Sequence, residues 1–341
     1  MQYFSVPVVR ELDTKLPTAS PAVIPAQTVT KVALPRLPAA ALAAAVTVTV
    51  SGYSTTGYAV VYACGSQMPQ TSDINFSASV PSVSNAVVTS VNAQEMCVFA
   101  STAVELVVDL TGYWAPTAGT QYSASVTRLF DSRTQGQKGP EQVFYIGLTL
   151  DAATSAGATV NVTAVGAVAS GTVYRSVCAT GEPIQMVTDV YKGLVRPTAM
   201  SFKVDPADPR LCFISTTPVE LIFDLVGTWK TNRPEMLTMY TAPSRVLDTR
   251  STGFVAPGAV VQLLPQGTSV LLGNVTTTGA QAQGWVAVFP CNAGAQGTST
   301  VNFIPGTPAA NSVLVDSRLG GVCALSSTPV HLILDVKGAI K

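Results

Sequence analysis

Val104-Glu-Leu-Val-Val-Asp109-Leu-Thr-Gly112 is the stretch that decides the fold class. Val104, Leu106, Val108 and Leu110 point one way, and Glu105, Val107 and Asp109 point the other. Period two marks a β-strand with one face on a core. The stretch recurs as Val219-Glu-Leu-Ile-Phe-Asp224-Leu-Val-Gly227 and as Val330-His-Leu-Ile-Leu-Asp335-Val-Lys-Gly338. An opening segment recurs with it: Arg10-Glu-Leu-Asp13-Thr-Lys15, Arg128-Leu-Phe-Asp131-Ser-Arg133 and Arg245-Val-Leu-Asp248-Thr-Arg250, at offsets of 118 and 117 residues. Between the two, Gly57, Gly171 and Gly284 each stand seven residues before a cysteine, and Thr47-Val-Thr49, Asn161-Val-Thr163 and Asn274-Val-Thr276 each begin 17 residues before it. Ser72-Asp-Ile-Asn75-Phe76 matches Ser299-Thr-Val-Asn302-Phe303. The 341-residue chain is therefore a threefold internal repeat.

The boundaries fall in Ala115-Pro-Thr-Ala-Gly119 and Thr231-Asn-Arg-Pro234, which divides the chain into units 1–115, 116–231 and 232–341. Each unit has the size of an ordinary domain and can hold its own core. Short runs such as Gly57–Cys64 and Gly284–Cys291, punctuated by Gly and Pro, read as further strands. The expected architecture is all-β: three tandem β-sandwich domains, Ig-like or jelly-roll, strung as a bead-like array. A propeller blade needs only about 40–50 residues, so the period argues against that fold. Tyr3 to Val9 reads as the first strand of unit 1.

Composition narrows the function. Lys+Arg and Asp+Glu are 19 each, and charged residues make up 11% of the chain, against a usual share of about 25%. A neutral, charge-poor chain excludes nucleic acid and a polybasic membrane surface as partners. Hydrophobic residues make up 47% of the chain, which excludes disorder. The most apolar run, Ala39 to Val50, is too short for a membrane span and ends in strand-like alternation. The segment from Met1 shows no basic-then-apolar leader, so export by signal peptide and membrane insertion are not expected.

The six cysteines fall two per unit: Cys64 with Cys97, Cys178 with Cys212, Cys291 with Cys323. The repeat selects this pairing, because each unit must satisfy itself in the same way. Each bridge would contribute about 3.5–4 kcal/mol in the chain-entropy model. The competing reading is three pairs of reduced core thiols. A single His and no Cys-x-x-Cys pair leave no zinc site.

Asp109, Asp224 and Asp335 recur on an otherwise apolar strand, and a half-buried carboxylate needs a partner. The recurring Arg10, Arg128 and Arg245, with Asp13, Asp131 and Asp248 beside them, supply one. A structural polar network outweighs a calcium site, for which no Asp-rich loop exists. A catalytic pair is seldom triplicated, no nucleophile or phosphate motif appears, and His331 is replaced by Glu105 and Glu220 in the other copies. No enzyme, cofactor or metal is expected. Trp114 and Trp229 stand where units join, and Trp285 follows Gly284. Packing between units competes with a role as sugar platforms, so all three are candidate ligand contacts. The sequons at Asn161 and Asn274 lie in strands and read as accidental.

Unit 3 carries a resemblance. Arg245-x-Leu247-Asp248-Thr249-Arg250, Asn274-Val-Thr276, Pro290-Cys291, Ser299-x-x-Asn302-Phe303, Ala310-Asn311, Val322-Cys323 and Asp335-Val-x-Gly338 resemble a module of actinobacterial surface and secreted proteins. Similar modules occur in virion proteins of phages that infect those bacteria. Unit 1 keeps most of the pattern, with Asn75 and Asn85, but has Lys15 where an Arg belongs. Unit 2 departs most: Ile184 to Tyr191 lacks the Ser-x-x-Asn-Phe run, and Thr198 stands near the asparagine's place. The resemblance implies a surface-exposed binding or structural module and transfers no catalytic residue. The leading expectation is a phage virion structural protein: a minor tail or tail-tip component, assembled as a homo-oligomer with other virion proteins and touching host cell-envelope glycan. The alternatives are a capsid decoration protein and a secreted lectin-like bacterial surface protein.

Overall fold

The computed structural model describes all residues except 1, 18–20, 117–120, 137–138, 149–154, 205–207, 232–235 and 296. Most of both linkers therefore lies outside the described residues. The described chain forms 24 strands and two 3-10 turns, with no α-helix. The fold is all-β.

Every sheet is four-stranded, and each draws its strands from one unit. In unit 1 an inner sheet runs β1 (Gln2–Asp13), β8 (Glu105–Ala115), β3 (Ala43–Ser51), β6 (Ser82–Ser90). Its outer sheet runs β2 (Thr28–Ala33), β7 (Glu95–Ala100), β4 (Gly57–Ala63), β5 (Ile74–Phe76). Unit 2 repeats this with β9 (Gln121–Asp131), β16 (Glu220–Lys230), β11 (Ser155–Val165), β14 (Arg196–Lys203), over β10 (Phe144–Gly147), β15 (Arg210–Ser215), β12 (Gly171–Ser176), β13 (Pro183–Val190). Unit 3 does so with β17 (Leu237–Asp248), β24 (His331–Ile340), β19 (Val270–Thr278), β22 (Ala309–Asp316), over β18 (Val260–Leu264), β23 (Val322–Ser326), β20 (Gly284–Pro290), β21 (Val301–Phe303).

The two sheets of a unit enclose one core. In unit 1 the inward residues of the closing strand, Leu106, Val108 and Leu110, join Val46 and Val48 from β3 and Val61, Phe76 and Val98 from the outer sheet. Units 2 and 3 have equivalent cores. The apolar run after Ala39 becomes β3, buried along its whole length, because strands on both sides cover it.

The other face of the closing strand is buried too. Val107, Asp109 and Thr111 are nearly sealed from solvent, as are Ile333, Asp335 and Lys337. The reason is the packing of the units, and the expected bead-like array is corrected here. Each unit touches both others through the edge strands of the inner sheets, β6, β14 and β22, so the three close into a ring with pseudo-threefold symmetry. One row of residues from each inner sheet meets at its centre: Tyr3, Trp114 and Ala43 from unit 1, Tyr122, Trp229 and Gly157 from unit 2, and Leu237, Ile340 and Val270 from unit 3. Two units bring large rings beside a small residue, and the third brings medium aliphatics beside Val270, so the volume balances. Tyr3 packs 4.3 Å from Trp229 and 4.8 Å from Trp114. Each such ring pair adds about 0.5–1.5 kcal/mol beyond area burial. The glycine that closes each repeat motif is needed here: a Cβ on Gly227 would lie 2.3 Å from the Tyr122 ring.

Candidate functional site

The opening and closing segments of each unit form one clip. Arg10 Nε donates to Asp109 Oδ1 at 2.9 Å and its Nη2 to Oδ2 at 3.2 Å. Arg128 holds Asp224 at 2.5 and 3.4 Å, and Arg245 holds Asp335 at 2.9 and 3.1 Å. The structure thus brings together all six residues of the expected network, as three two-pronged forks. Burial still pushes the Asp224 carboxyl above the usual range, although Arg128 opposes this. The hydroxyl of the opening motif, missed in the sequence, completes the clip. Thr14, Ser132 and Thr249 each accept the backbone N–H of the closing-strand leucine, Leu106, Leu221 or Leu332, at 2.8 Å. Asp131 and Asp248 cap 3-10 turns and grip Arg133 and Arg250. In unit 1 Asp13 accepts the Lys15 backbone N–H at 3.0 Å and Arg10 Nη1 at 2.8 Å, and no side-chain fork from position 15 grips it, because lysine has no planar guanidinium to offer.

The three cysteine pairs are disulfides, Cys64–Cys97, Cys178–Cys212 and Cys291–Cys323. Two of the three tryptophans are not ligand contacts: Trp114 is 2% exposed and Trp229 1%, both locked in the central cluster. Large rings at unit junctions gain more from mutual burial than from facing water. Trp285 is half-buried on β20, opposite Asn302. His331 is half-buried and stacks on Phe254 at 4.0 Å. Asn161 and Asn274 are buried and bonded across unit boundaries, which leaves no room for a glycan on either. Among the described residues, no group of three His, Cys, Asp or Glu could hold a metal, and no helix is long and apolar enough to cross a membrane.

The candidate site is a cleft of about 440 Å³ where unit 1 meets unit 3. Unit 1 supplies Tyr58, the segment Met68–Ser72 and Asn75; unit 3 supplies Arg245, Arg250, Thr276, Thr278 and Ile333. Tyr58 occupies the register position of Trp285 and likewise faces an asparagine, Asn75, across the sheet edge. The Tyr58 ring is 40% exposed and leans on Phe99 at 6.0 Å. Asn75 Nδ2 donates to Ser72 Oγ at 3.0 Å. The Thr71 hydroxyl is buried and has no hydrogen-bond partner. Arg250 holds Asp248 at 2.5 Å, which keeps that carboxyl at a pKa of about 2.

At the equivalent seam between units 3 and 2 an arginine bridges the two units. There Arg128 Nη2 donates to the Gly297 carbonyl at 2.8 Å. The counterparts in the open cleft are Arg245 and Gln70, and no such bond joins them. Sequence reasoning could not locate the cleft, because its two walls are separated by most of the chain.

No family model matches the chain, and no curated protein matches it. Among solved structures, the tandem CBM22-1–CBM22-2 domains of Paenibacillus barcinonensis Xyn10C align at 10% identity and a TM-score of 0.19, covering 64% of this chain and 99% of that one. A chain in the atomic structure of Sulfolobus Turreted Icosahedral Virus aligns at 10% identity and TM-score 0.17, over 93% of this chain and 84% of that one. A chain from the triple jelly roll fold and turret assembly of an archaeal virus aligns at 9% identity and TM-score 0.16, over 93% and 90%. At these scores the likenesses carry no argument about function.

Proposed function

We propose that this chain is a structural protein of an actinobacteriophage particle, a minor tail or tail-tip component that contacts the host surface. In this reading each unit is a jelly-roll-type β-sandwich domain, and the chain is a single-chain counterpart of a trimer. The observation that carries it is the closed pseudo-threefold ring. Tail structures are built on threefold or sixfold axes, and a triplicated chain offers three similar faces to such an axis. Three disulfides suit a protein that works outside the reducing cytosol. The resemblance of the repeat motifs to actinobacterial surface modules supports the same setting.

Immunogold electron microscopy of purified particles, with antibody to this chain, tests the proposal. Label at the tail tip is the expected result. Label on the head would turn the reading to capsid decoration. Particles without label would leave a secreted lectin-like surface protein as the better account.

A further inference from the structure

We infer that the cleft between units 1 and 3 binds a neutral saccharide, with Tyr58 as the platform under one sugar ring. This deepens the host-contact reading above and rests on it for biological setting, but its physical case is local. The volume, about 440 Å³, lies within the range of about 300–1,000 Å³ typical of small-ligand sites.

The charges point to a neutral ligand. Arg245 and Arg250 face the cleft, yet each is forked onto its own carboxylate, Asp335 or Asp248. Two cations against two anions leave no net pull on phosphate or sulfate. A guanidinium has five N–H donors, and a fork uses two. The remaining N–H groups are held rigidly, which suits them to hydroxyl acceptors. Gln70 and Asn75 add amides that both donate and accept, as sugar hydroxyls require. The Thr71 hydroxyl, 5% exposed and unpartnered, is a buried polar group at the cleft wall that lacks its hydrogen bond. The exposed Tyr58 ring supplies the flat apolar surface on which sugar C–H groups pack. At the next seam the Arg128 bond to Gly297 spans the corresponding place, a bridge that Arg245 and Gln70 do not make in the cleft.

The test is saturation-transfer NMR and calorimetry on the full chain. The probes are a panel of α- and β-linked neutral pentose and hexose disaccharides, with inorganic phosphate as the competing anion. The expected result is saturable binding of at least one disaccharide that phosphate does not displace. Tyr58→Ala should weaken it about tenfold, the loss of one stacking ring. Gln70→Ala should weaken it less. Trp285→Ala, the matching position at the bridged seam, should leave it unchanged. Tyr58 and Gln70 are both surface positions, and unaltered thermal melting of their variants will exclude a folding defect. Absence of binding across the panel, displacement by phosphate, or full binding by Tyr58→Ala would each overturn the proposal. Sugar binding without label on any particle would sink the virion reading alone; tail label without sugar binding would sink this one alone.

Discussion

Two boundaries within the ring solve the same packing problem differently. Where unit 3 meets unit 2, Asn311 Nδ2 donates to Asn161 Oδ1 at 3.0 Å, and Asn161 Nδ2 reaches the Ser299 carbonyl at 2.7 Å. The boundary of unit 1 with unit 3 repeats this with Asn85 and Asn274 at 3.1 Å. By the same rotation, the boundary of unit 2 with unit 1 should carry an asparagine at 198 and another at 47. It carries Thr198 and Thr47, whose buried hydroxyls have no partner. Binding there passes instead to Ser82, which bonds Asp189 and, at 2.9 Å, Tyr191, while Arg196 donates to the Ser82 carbonyl at 2.9 Å. In the sequence, Thr47 and Thr198 look like two unrelated departures in two different repeats. In the ring they are the two halves of one missing pair. An amide on one side without its mate would be a buried unsatisfied group, so the two positions depart from asparagine together.

The unit 1–unit 3 boundary adds a buried ion pair between Lys337 and Asp73, both nearly sealed from solvent. At the unit 2–unit 3 boundary the counterparts are the uncharged Val226 and Thr300. The largest expected effect follows. Lys337→Ala leaves Asp73 buried and unpaired and should cost about 3–5 kcal/mol, read as a lower denaturant midpoint. Transplanting the other boundary, Lys337→Val with Asp73→Thr, should recover most of that loss. Threonine can keep the bond to the Val61 N–H, as Thr300 does for Val288 at 2.9 Å. A double variant no better than the single would break the equivalence of the two boundaries.

Asp335→Ala strands the Arg245 guanidinium, which is 30% exposed, and should cost about 2–3 kcal/mol, less than breaking a fully buried pair. In a bead-like array that loss would stay within unit 3. In a closed ring it should lower a single calorimetric transition of the whole chain. A separate early transition for one unit would show that the boundaries couple the units weakly.

A double-mutant cycle on Thr47→Asn and Thr198→Asn probes the comparison directly. Each single change should be neutral or destabilising, and together they should gain about 1 kcal/mol from the restored amide pair. Strictly additive effects would mean that the two side chains do not meet. The smallest effect belongs to Arg250→Ala. Arg250 depresses the Asp248 pKa to about 2, so its contribution is full above the unfolded carboxylate value near 4 and is lost as pH falls toward 2. At the surface this is worth at most about 1 kcal/mol. The variant should lose that amount at neutral pH, and its difference from the parent chain should vanish as pH falls toward 2, read from denaturant midpoints across the pH range.

Much of the fold was legible because repetition made it so. The alternation from Val104 to Leu110 names a strand by itself, and three copies at fixed offsets divide the chain. The cysteine pairs and the Arg–Asp forks follow from the same logic, since each unit must satisfy its own polar groups within its own length. The closing strand also held an unread signal. Val107, Ile222 and Ile333 put apolar side chains on the face that a bead would show to water, and that face is where the neighbouring unit packs.

What the sequence determined by itself, then, is local to a unit: the period-two strands, the repeat boundaries, the cysteine partners and the Arg–Asp forks. Those depend on spacings within about a hundred residues, and spacing is what a sequence displays. Only the tertiary structure decided how the units meet. It turned Trp114 and Trp229 from surface candidates into a central plug, paired positions 47 and 198, and set Tyr58 opposite Arg245 across an open cleft. Contacts of that kind come from docking finished surfaces, and no periodicity along the chain encodes which surfaces dock.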